Sequence, residues 1–321
     1  MRPSTARPDQ ATLLAFAGVV LFGGANAIAV KLTVADLAPF WGAAMRFIAA
    51  GVLMLLVVVL TRRALPRGRS LGGAALYGLV GFAASYGFAY VGLRDVPAGT
   101  AMVLIALTPL LTFGLAIAHR QERFHPQGLL GALIAVAGVG VVFVDQLSAD
   151  VPLVALLLVL FAAVAIAESS VIVKAIPRSD PFATNAVAML TGGALLFVLS
   201  LVAGEPLGLP TQAETWAAVG YLVLFGSVVM FALFVFTLQR WTASAVSYVT
   251  LLMPLVTVAL AAVLTNERIT PSFVLGGAVI LGGVYVGAFM KGRPARPSAT
   301  SLPECLPIDA SRETEAEPAR A

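Results

Sequence analysis

The chain has little charge, one cysteine and two histidines. Asp, Glu, Lys and Arg together make up 11% of its 321 residues, against about 25% in an ordinary soluble domain. A lone Cys305 excludes a disulfide framework and a thiolate metal cage, and His119 and His125 both fall between apolar runs, so no metal site is expected. No phosphate-cradling loop of the Walker type is present. The net charge of +4 and pI near 9.5 are not concentrated in a basic run interleaved with aromatics, which argues against nucleic acid as a partner.

What the chain does have is apolar sequence: 60% hydrophobic residues and a mean hydropathy of +0.96. A bilayer core takes about 20 apolar residues per helix. Runs of that length predict ten spans, at 11–30, 39–60, 71–92, 97–118, 126–144, 152–173, 181–203, 213–237, 243–265 and 271–290. Short connectors with helix breakers separate them, such as "LPRGRS" at 65–70 and "GEPLGLP" at 204–210. If residues 1–10 are cytoplasmic, fourteen Lys and Arg fall in inside connectors and three, Lys31, Arg94 and Arg268, fall outside. The positive-inside rule then predicts a multi-pass inner-membrane protein with both termini in the cytoplasm. Arg2, Arg7 and the "ANA" at 25–27 imitate a cleavable leader, but the first run is long enough to span and the repeat below needs it as a helix. Residues 291–321, rich in Pro, Ala, Ser and charge, predict a disordered cytoplasmic tail.

Sliding the second half over the first at an offset of 142–145 residues aligns punctuation along the whole chain. "PFWGAAMRFIAAG" at 39–51 meets "PFATNAVAMLTGG" at 181–193, and Pro109, Glu122, Gly131 and Gly138 fall on Pro254, Glu267, Gly276 and Gly283. "FGGANAIAVK" at 22–31 lies over "AIAESSVIVK" at 165–174, which sets Asn26 on Ser169 and Lys31 on Lys174. Five spans per copy is an odd number, so the second copy enters the bilayer from the opposite side. The fold expected is therefore an all-α integral membrane protein of two inverted five-helix repeats, 11–144 and 152–290. Such pairs build secondary transporters whose site lies near the midplane between the halves. Duplication in a structural or sensory membrane protein is the plain alternative.

With these motifs in order, the chain resembles the drug/metabolite transporter superfamily of the EamA type. The carriers of the resemblance are "FGGANAIAVK", Pro39 followed by Arg46 and Phe47, "LTPLLTFGLAIAHRQER" at 107–123 and "LLMPLVTVALAAVLTNER" at 251–268. The likeness covers residues 11–290 and implies export of small metabolites or amino acids across a bacterial-type inner membrane, with no cofactor. The second copy departs in having Ala188 where the first has Arg46, so a charge-based site is asymmetric.

Only Arg46 and Glu168 sit clearly inside spans, each at a cost of about 2.5–3.5 kcal/mol on insertion scales. Arg46 lies about 10 Å along its helix from the outer end, at about 1.5 Å per residue. It can grip a substrate carboxylate with both arms of its guanidinium, or bond carbonyls of a neighbouring helix. Glu168 lies about 9 Å from the cytoplasmic end. It can carry a coupling proton, or snorkel to the interface or bond a neighbour. Those depths argue against a direct pair and for a shared cavity. Its other walls are expected from Asn26, Ser169, a Phe82–Tyr86–Tyr90 face and a Ser244–Ser247–Tyr248–Leu251 face, although rings in a stripe also pack. Trp41 fits the cavity or the interfacial belt, as Trp241 fits the belt.

Pro109 and Pro254 each remove a helical hydrogen bond and free a carbonyl, at Ile105 and Thr250, so they read as gating hinges or static kinks. Gly131 and Gly138, with Gly276 and Gly283, make smooth faces for a seam between repeats or for a homodimer. Lipid and a small-molecule substrate are the partners implied. The rival class is a membrane-embedded enzyme acting on lipid or a lipid-linked substrate, but no span carries a histidine or two carboxylates to serve it. No ring of like charge or filter loop indicates a channel.

Overall fold

In lipid every backbone N–H and C=O must be satisfied inside the protein, and a helix does this locally. The computed structural model describes residues 8–96, 98–144, 151–177, 179–265 and 271–290. The predicted tail at 291–321 and the connectors at 145–150 and 266–270 lie outside the described residues. Among the described residues the regular structure is all helical, in ten spanning elements. They are α1 (Gln10–Val34), α2 (Pro39–Leu60), α3 (Arg69–Gly92), α4 (Ala98–Ile105 and Thr108–Ala118) and α5 (Pro126–Val142). The second set is α6 (Leu153–Ala175), α7 (Pro181–Val202), α8 (Ala213–Arg240), α9 (Ala243–Ser247 and Val249–Thr265) and α10 (Pro271–Phe289).

The helix starts follow from local chemistry. α2, α5, α7 and α10 each begin on a proline, whose ring presets φ and whose missing N–H would have no partner there. Asp180 caps α7, accepting from the backbone N–H of Phe182 at 2.9 Å and of Ala183 at 3.2 Å. The cap of α2 comes from the other half: Glu205 accepts from the N–H of Phe40 at 3.2 Å and of Trp41 at 2.8 Å. Nearby, Asp36 accepts from the Thr211 hydroxyl at 2.7 Å and the Thr211 N–H at 2.8 Å. These bonds, the hydroxyl's first, hold its carboxyl below the ordinary carboxylate range. The clasp therefore contributes its full strength above that range and loses it as pH falls through the lowered value.

Two helix pairs stitch the halves together, and each pairs a helix with its own repeat copy. α2 lies along α7, where a Cβ on Gly193 would stand 3.1 Å from the Ile48 nitrogen and one on Gly51 would press on Leu190. α5 lies along α10 more closely still. A Cβ on Gly131 would be 2.3 Å from the Gly287 nitrogen, and one on Gly276 would be 2.7 Å from the Gly138 carbonyl oxygen. The glycine faces marked by the sequence are thus spent within the chain, on the seam between its repeats.

Gly131→Ala forces those backbones apart and is expected to destabilise the protein by about 1–3 kcal/mol. Gly140→Ala on the same helix, where an added Cβ meets nothing within 4 Å, is expected to leave stability unchanged. Thermal unfolding of both variants in detergent, followed by circular dichroism, checks the difference.

Candidate functional site

The seam pairs use the second and fifth helices of each repeat. The first, third and fourth remain, and they meet at the centre. Their geometry is set by two wide π turns, Leu79–Ala84 in α3 and Leu224–Val229 in α8, which lie 145 residues apart and so occupy the same place in the two copies. Single π turns within α-helices are rare and gather at functional sites.

Each π turn holds a glycine against the first helix of the other half. A Cβ on Gly226 would be 2.1 Å from Asn26 Oδ1, and one on Gly81 would be 2.9 Å from the Ser169 Cβ. Only glycine permits either approach. The Gly226 carbonyl accepts from Asn26 Nδ2 at 3.1 Å and from the Arg46 guanidinium at 2.8 Å, and Arg46 Nε donates to the Ser227 hydroxyl at 2.8 Å. In the first copy the Gly81 carbonyl accepts from the nearby Ser85 hydroxyl, at 2.6 Å. The asymmetry seen in the sequence is thereby explained. Where Arg46 reaches across to α8, its counterpart Ala188 leaves room for α3, and a Cβ on Gly78 would be 2.3 Å from the Ala188 carbonyl oxygen.

Between the two glycine contacts lies a cavity of about 300 Å³. α1 contributes Val19, Gly23 and Asn26; α3 contributes Tyr77, Gly81, Ser85, Tyr86 and Ala89; α4 contributes Thr108. The matching helices of the second copy supply Ile166, Ser169 and Ser170 from α6, Met230, Phe231 and Phe234 from α8, and Ser247, Val249, Thr250 and Met253 from α9. Its volume is at the small end for ligand sites, and its mixture of apolar walls with a few polar groups is the usual one. Phe47, fully buried, braces the walls from behind, with ring centroids 4.8 Å from Phe82 and 4.9 Å from Tyr86. Among the described residues no group of three His, Cys, Asp or Glu side chains gathers to hold a metal.

Residues 10–144 and 153–288 match, as two copies, the EamA-like transporter family. The chain belongs to that family. YedA, an uncharacterized inner membrane transporter of Escherichia coli K12, is 28% identical over 85% of this chain and 90% of its own length. A probable amino-acid metabolite efflux pump of the same organism is 26% identical over 84% of this chain and 92% of its own. A chloroplastic WAT1-related protein of Arabidopsis thaliana is 28% identical over 84% of this chain and 68% of its own. A solved crystal structure shares the fold with a TM-score of 0.74 at 22% identity, covering 87% of this chain and 96% of that one.

In this EamA-like transporter the sequence-marked residues divide into two groups. Asn26, Tyr86, Ser169 and Ser247 line the cavity. Arg46, Trp41, Tyr90, Glu168 and Tyr248 do not. Arg46 is 4% exposed and held by α8, with its guanidinium carbon also 4.9 Å from the Phe47 ring centre. Trp41 donates its indole N–H to the Gly208 carbonyl at 2.6 Å, and Tyr90 packs edge-on against Phe40. Tyr248 points to the α5–α10 seam, its hydroxyl donating to the Gly128 carbonyl at 3.3 Å. Glu168 has a side chain 26% exposed and stands 3.4 Å from His119 Nε2, at the end of α4. The two intramembrane charges do not meet.

The prolines also differ from each other. α4 breaks at Ala106–Leu107 just ahead of Pro109, and the Thr108 hydroxyl donates to the freed Ile105 carbonyl. α9 breaks earlier, at Tyr248, and runs on as helix through Pro254. The residues the sequence did not mark are chiefly Tyr77, Ser85, Thr108 and Thr250. On α3 the cavity face is 77, 81, 85 and 89 together with Tyr86, so of the 82–86–90 stripe chosen by ordinary helical spacing the middle ring alone reaches the wall. The usable signal was Gly81, which falls on Gly226 at the repeat offset.

Arg46→Met leaves the buried Ser227 hydroxyl and the Gly226 carbonyl short of a charged donor. A loss of about 1.5–3 kcal/mol in unfolding free energy is expected, the range for hydrogen bonds to charged groups. Arg46→Lys, a point charge without the planar fork, is expected to restore less than half of it. Chemical denaturation in detergent reads both, and an Arg46→Met protein as stable as the parent refutes the anchoring role.

Proposed function

We propose that the chain is a secondary transporter that exports small organic metabolites across a bacterial-type inner membrane by alternating access. The observation that carries this reading is the composition of the cavity wall. It is built from the first, third and fourth helices of both inverted halves, so rocking one half against the other opens it first to one side and then to the other. Both termini lie in the cytoplasm in this reading, because the arginine-bearing connectors belong inside. The likeness to a protein named as an efflux pump supports the outward direction. The substrate occupies the wall formed by Asn26, Tyr86, Ser169 and Ser247, joined by Tyr77. The breaks in α4 ahead of Pro109 and in α9 ahead of Pro254 are the points where those helices bend.

Coupling to protons is assigned to Glu168. It stands on α6 and faces His119 at the end of α4, so the pair joins one half to the other. Carboxyl and imidazole groups in such places form the proton relays of transporters. While the imidazole is protonated the two form an ion pair, and a proton taken up by the carboxylate cancels it and lets the end of α4 separate from α6.

Vesicles reconstituted with the full chain and offered labelled solutes, with and without a pH gradient, test this. Glu168→Gln is expected to abolish gradient-driven movement and to keep the exchange of labelled for unlabelled solute. Full gradient-driven activity in that variant overturns the coupling. A chain that moves no solute and turns over a lipid overturns transport itself.

A further inference from the structure

The hydrogen-bond bookkeeping of the cavity points to the chemistry of its ligand, an inference that rests on the transport reading above. Six aliphatic hydroxyls stand in the wall, besides the phenols of Tyr77 and Tyr86: Ser85, Thr108, Ser169, Ser170, Ser247 and Thr250. Every one donates its hydrogen to a carbonyl of its own helix, three or four residues back, as Ser169 does to Ile166 at 2.7 Å and Ser247 to Ser244 at 2.7 Å. A hydroxyl has one hydrogen and two lone pairs, so what these six can offer a ligand is lone pairs. The Asn26 amide spends its Nδ2 on the Gly226 carbonyl, and its Oδ1, buried against Gly226, has no hydrogen-bond partner among the described residues.

One phenol is also unsatisfied. Tyr77 is 1% exposed and forms part of the wall, and among the described residues its hydroxyl has no hydrogen-bond partner. A buried polar group left unpaired costs free energy, and of the six such side-chain atoms among the described residues two, on Asn26 and Tyr77, belong to residues of this wall. Among the described residues no charged side chain lines this wall, and the Arg46 guanidinium is engaged on α8. A carboxylate placed here has no cation to meet, and the O–H groups open to it are the phenols of Tyr77 and Tyr86. The remaining surface consists of the rings of Tyr86, Phe231 and Phe234 and the thioethers of Met230 and Met253, which favour an apolar body and tolerate a cation over the ring faces.

We propose that the cavity selects small primary amines with an aromatic or bulky apolar body and no free carboxylate, their N–H groups donating to Asn26 Oδ1, the Tyr77 oxygen and the hydroxyl lone pairs. The N–H is the recognised feature, and charge alone does not suffice.

Calorimetric titration of the purified full chain with four probes tests this: phenethylamine, its N,N,N-trimethyl derivative, phenylacetate and phenylalanine. Phenethylamine is expected to bind at least about tenfold more tightly than each of the others, the loss expected when N–H donors are removed or a carboxylate is buried without a partner. Tyr77→Phe and Asn26→Ala are each expected to weaken phenethylamine about three- to tenfold. The comparison among probes uses the unaltered protein, so it stands even where a variant fails to fold. Phenylacetate or phenylalanine binding as tightly as phenethylamine overturns the proposal, as does equal binding of the trimethyl derivative or no binding of phenethylamine. Flux in vesicles separates the two readings. Phenethylamine bound but not moved keeps the amine assignment and overturns transport. Phenylalanine moved while phenethylamine is ignored keeps transport and overturns the amine assignment.

Discussion

The backbone of α8 at Gly226 is the point from which most of the centre of this protein is arranged. In lipid a carbonyl must be satisfied within the protein, and the Gly226 carbonyl in its wide turn draws two side chains from two other helices: Asn26 from α1 and Arg46 from α2. Much else follows from those two bonds. Arg46 is admitted to the apolar interior because its donors have fixed acceptors. Residue 226 is glycine because Asn26 stands where a Cβ would be. The first copy keeps the wide turn and the glycine, Gly81, yet satisfies that carbonyl locally with Ser85. Its third helix therefore needs no arginine, and Ala188 and Gly192 of α7 let α3 settle against backbone instead. Duplication preserved the shape of the contact while its chemistry diverged.

Beyond the bonds at Gly226 and Ser227, the contacts between the halves are chiefly of two kinds, and they differ in what it takes to break them. The glycine seams of α2 with α7 and α5 with α10 rest on backbones in contact, and nothing replaces that packing once it is opened. The faces of the protein are joined by carboxylates instead. Glu205 caps α2, and Glu122 accepts from the Ser244 N–H at 3.0 Å and from its hydroxyl at the start of α9. Arg63 meets Asp180 at 2.8 Å and Arg240 meets Asp9 at 3.2 Å, both partly exposed. Water readily takes over bonds of this second kind, and exposed ion pairs contribute about 0–1 kcal/mol. A rocking motion that keeps the seams and exchanges the end contacts is therefore the least costly one available to this fold.

The fold was legible in the sequence because its determinants are long-range in number and simple in kind: apolar length, breakers at connectors and a duplicated order of landmarks. The ten predicted spans and the helices agree to within a few residues at most ends. The candidate site was legible only in part. Asn26 and Ser169 emerged from the repeat, since their register sets them both against a glycine of the other half. The α3 face emerged at Tyr86 alone, because π turns have no composition of their own in this chain. "LVGFAA" and "LFGSVV" read as ordinary helix, and one extra residue per wide turn moves every later side chain around the axis. Arg46 shows a different limit. A buried charge announces that it has a partner, and the sequence gives no means of telling a ligand's carboxylate from a carbonyl across the interface.

The polarity of the cavity follows from the same rule that shaped the helices. A serine or threonine in a membrane helix keeps its hydrogen bonded by returning it to the carbonyl a turn back. Several such residues around one space leave their lone pairs unpaired, so the wall acquires the character of an acceptor without any carboxylate. In the amine reading proposed above, that arrangement holds a donor through many weak contacts, with no single strong one to detain it. A solute bound this way is released when the walls part by a small distance, because each bond is short-ranged and none is an ion pair. Weak, distributed recognition suits the alternating access proposed above, in which the site lets go on the opposite side from which it binds.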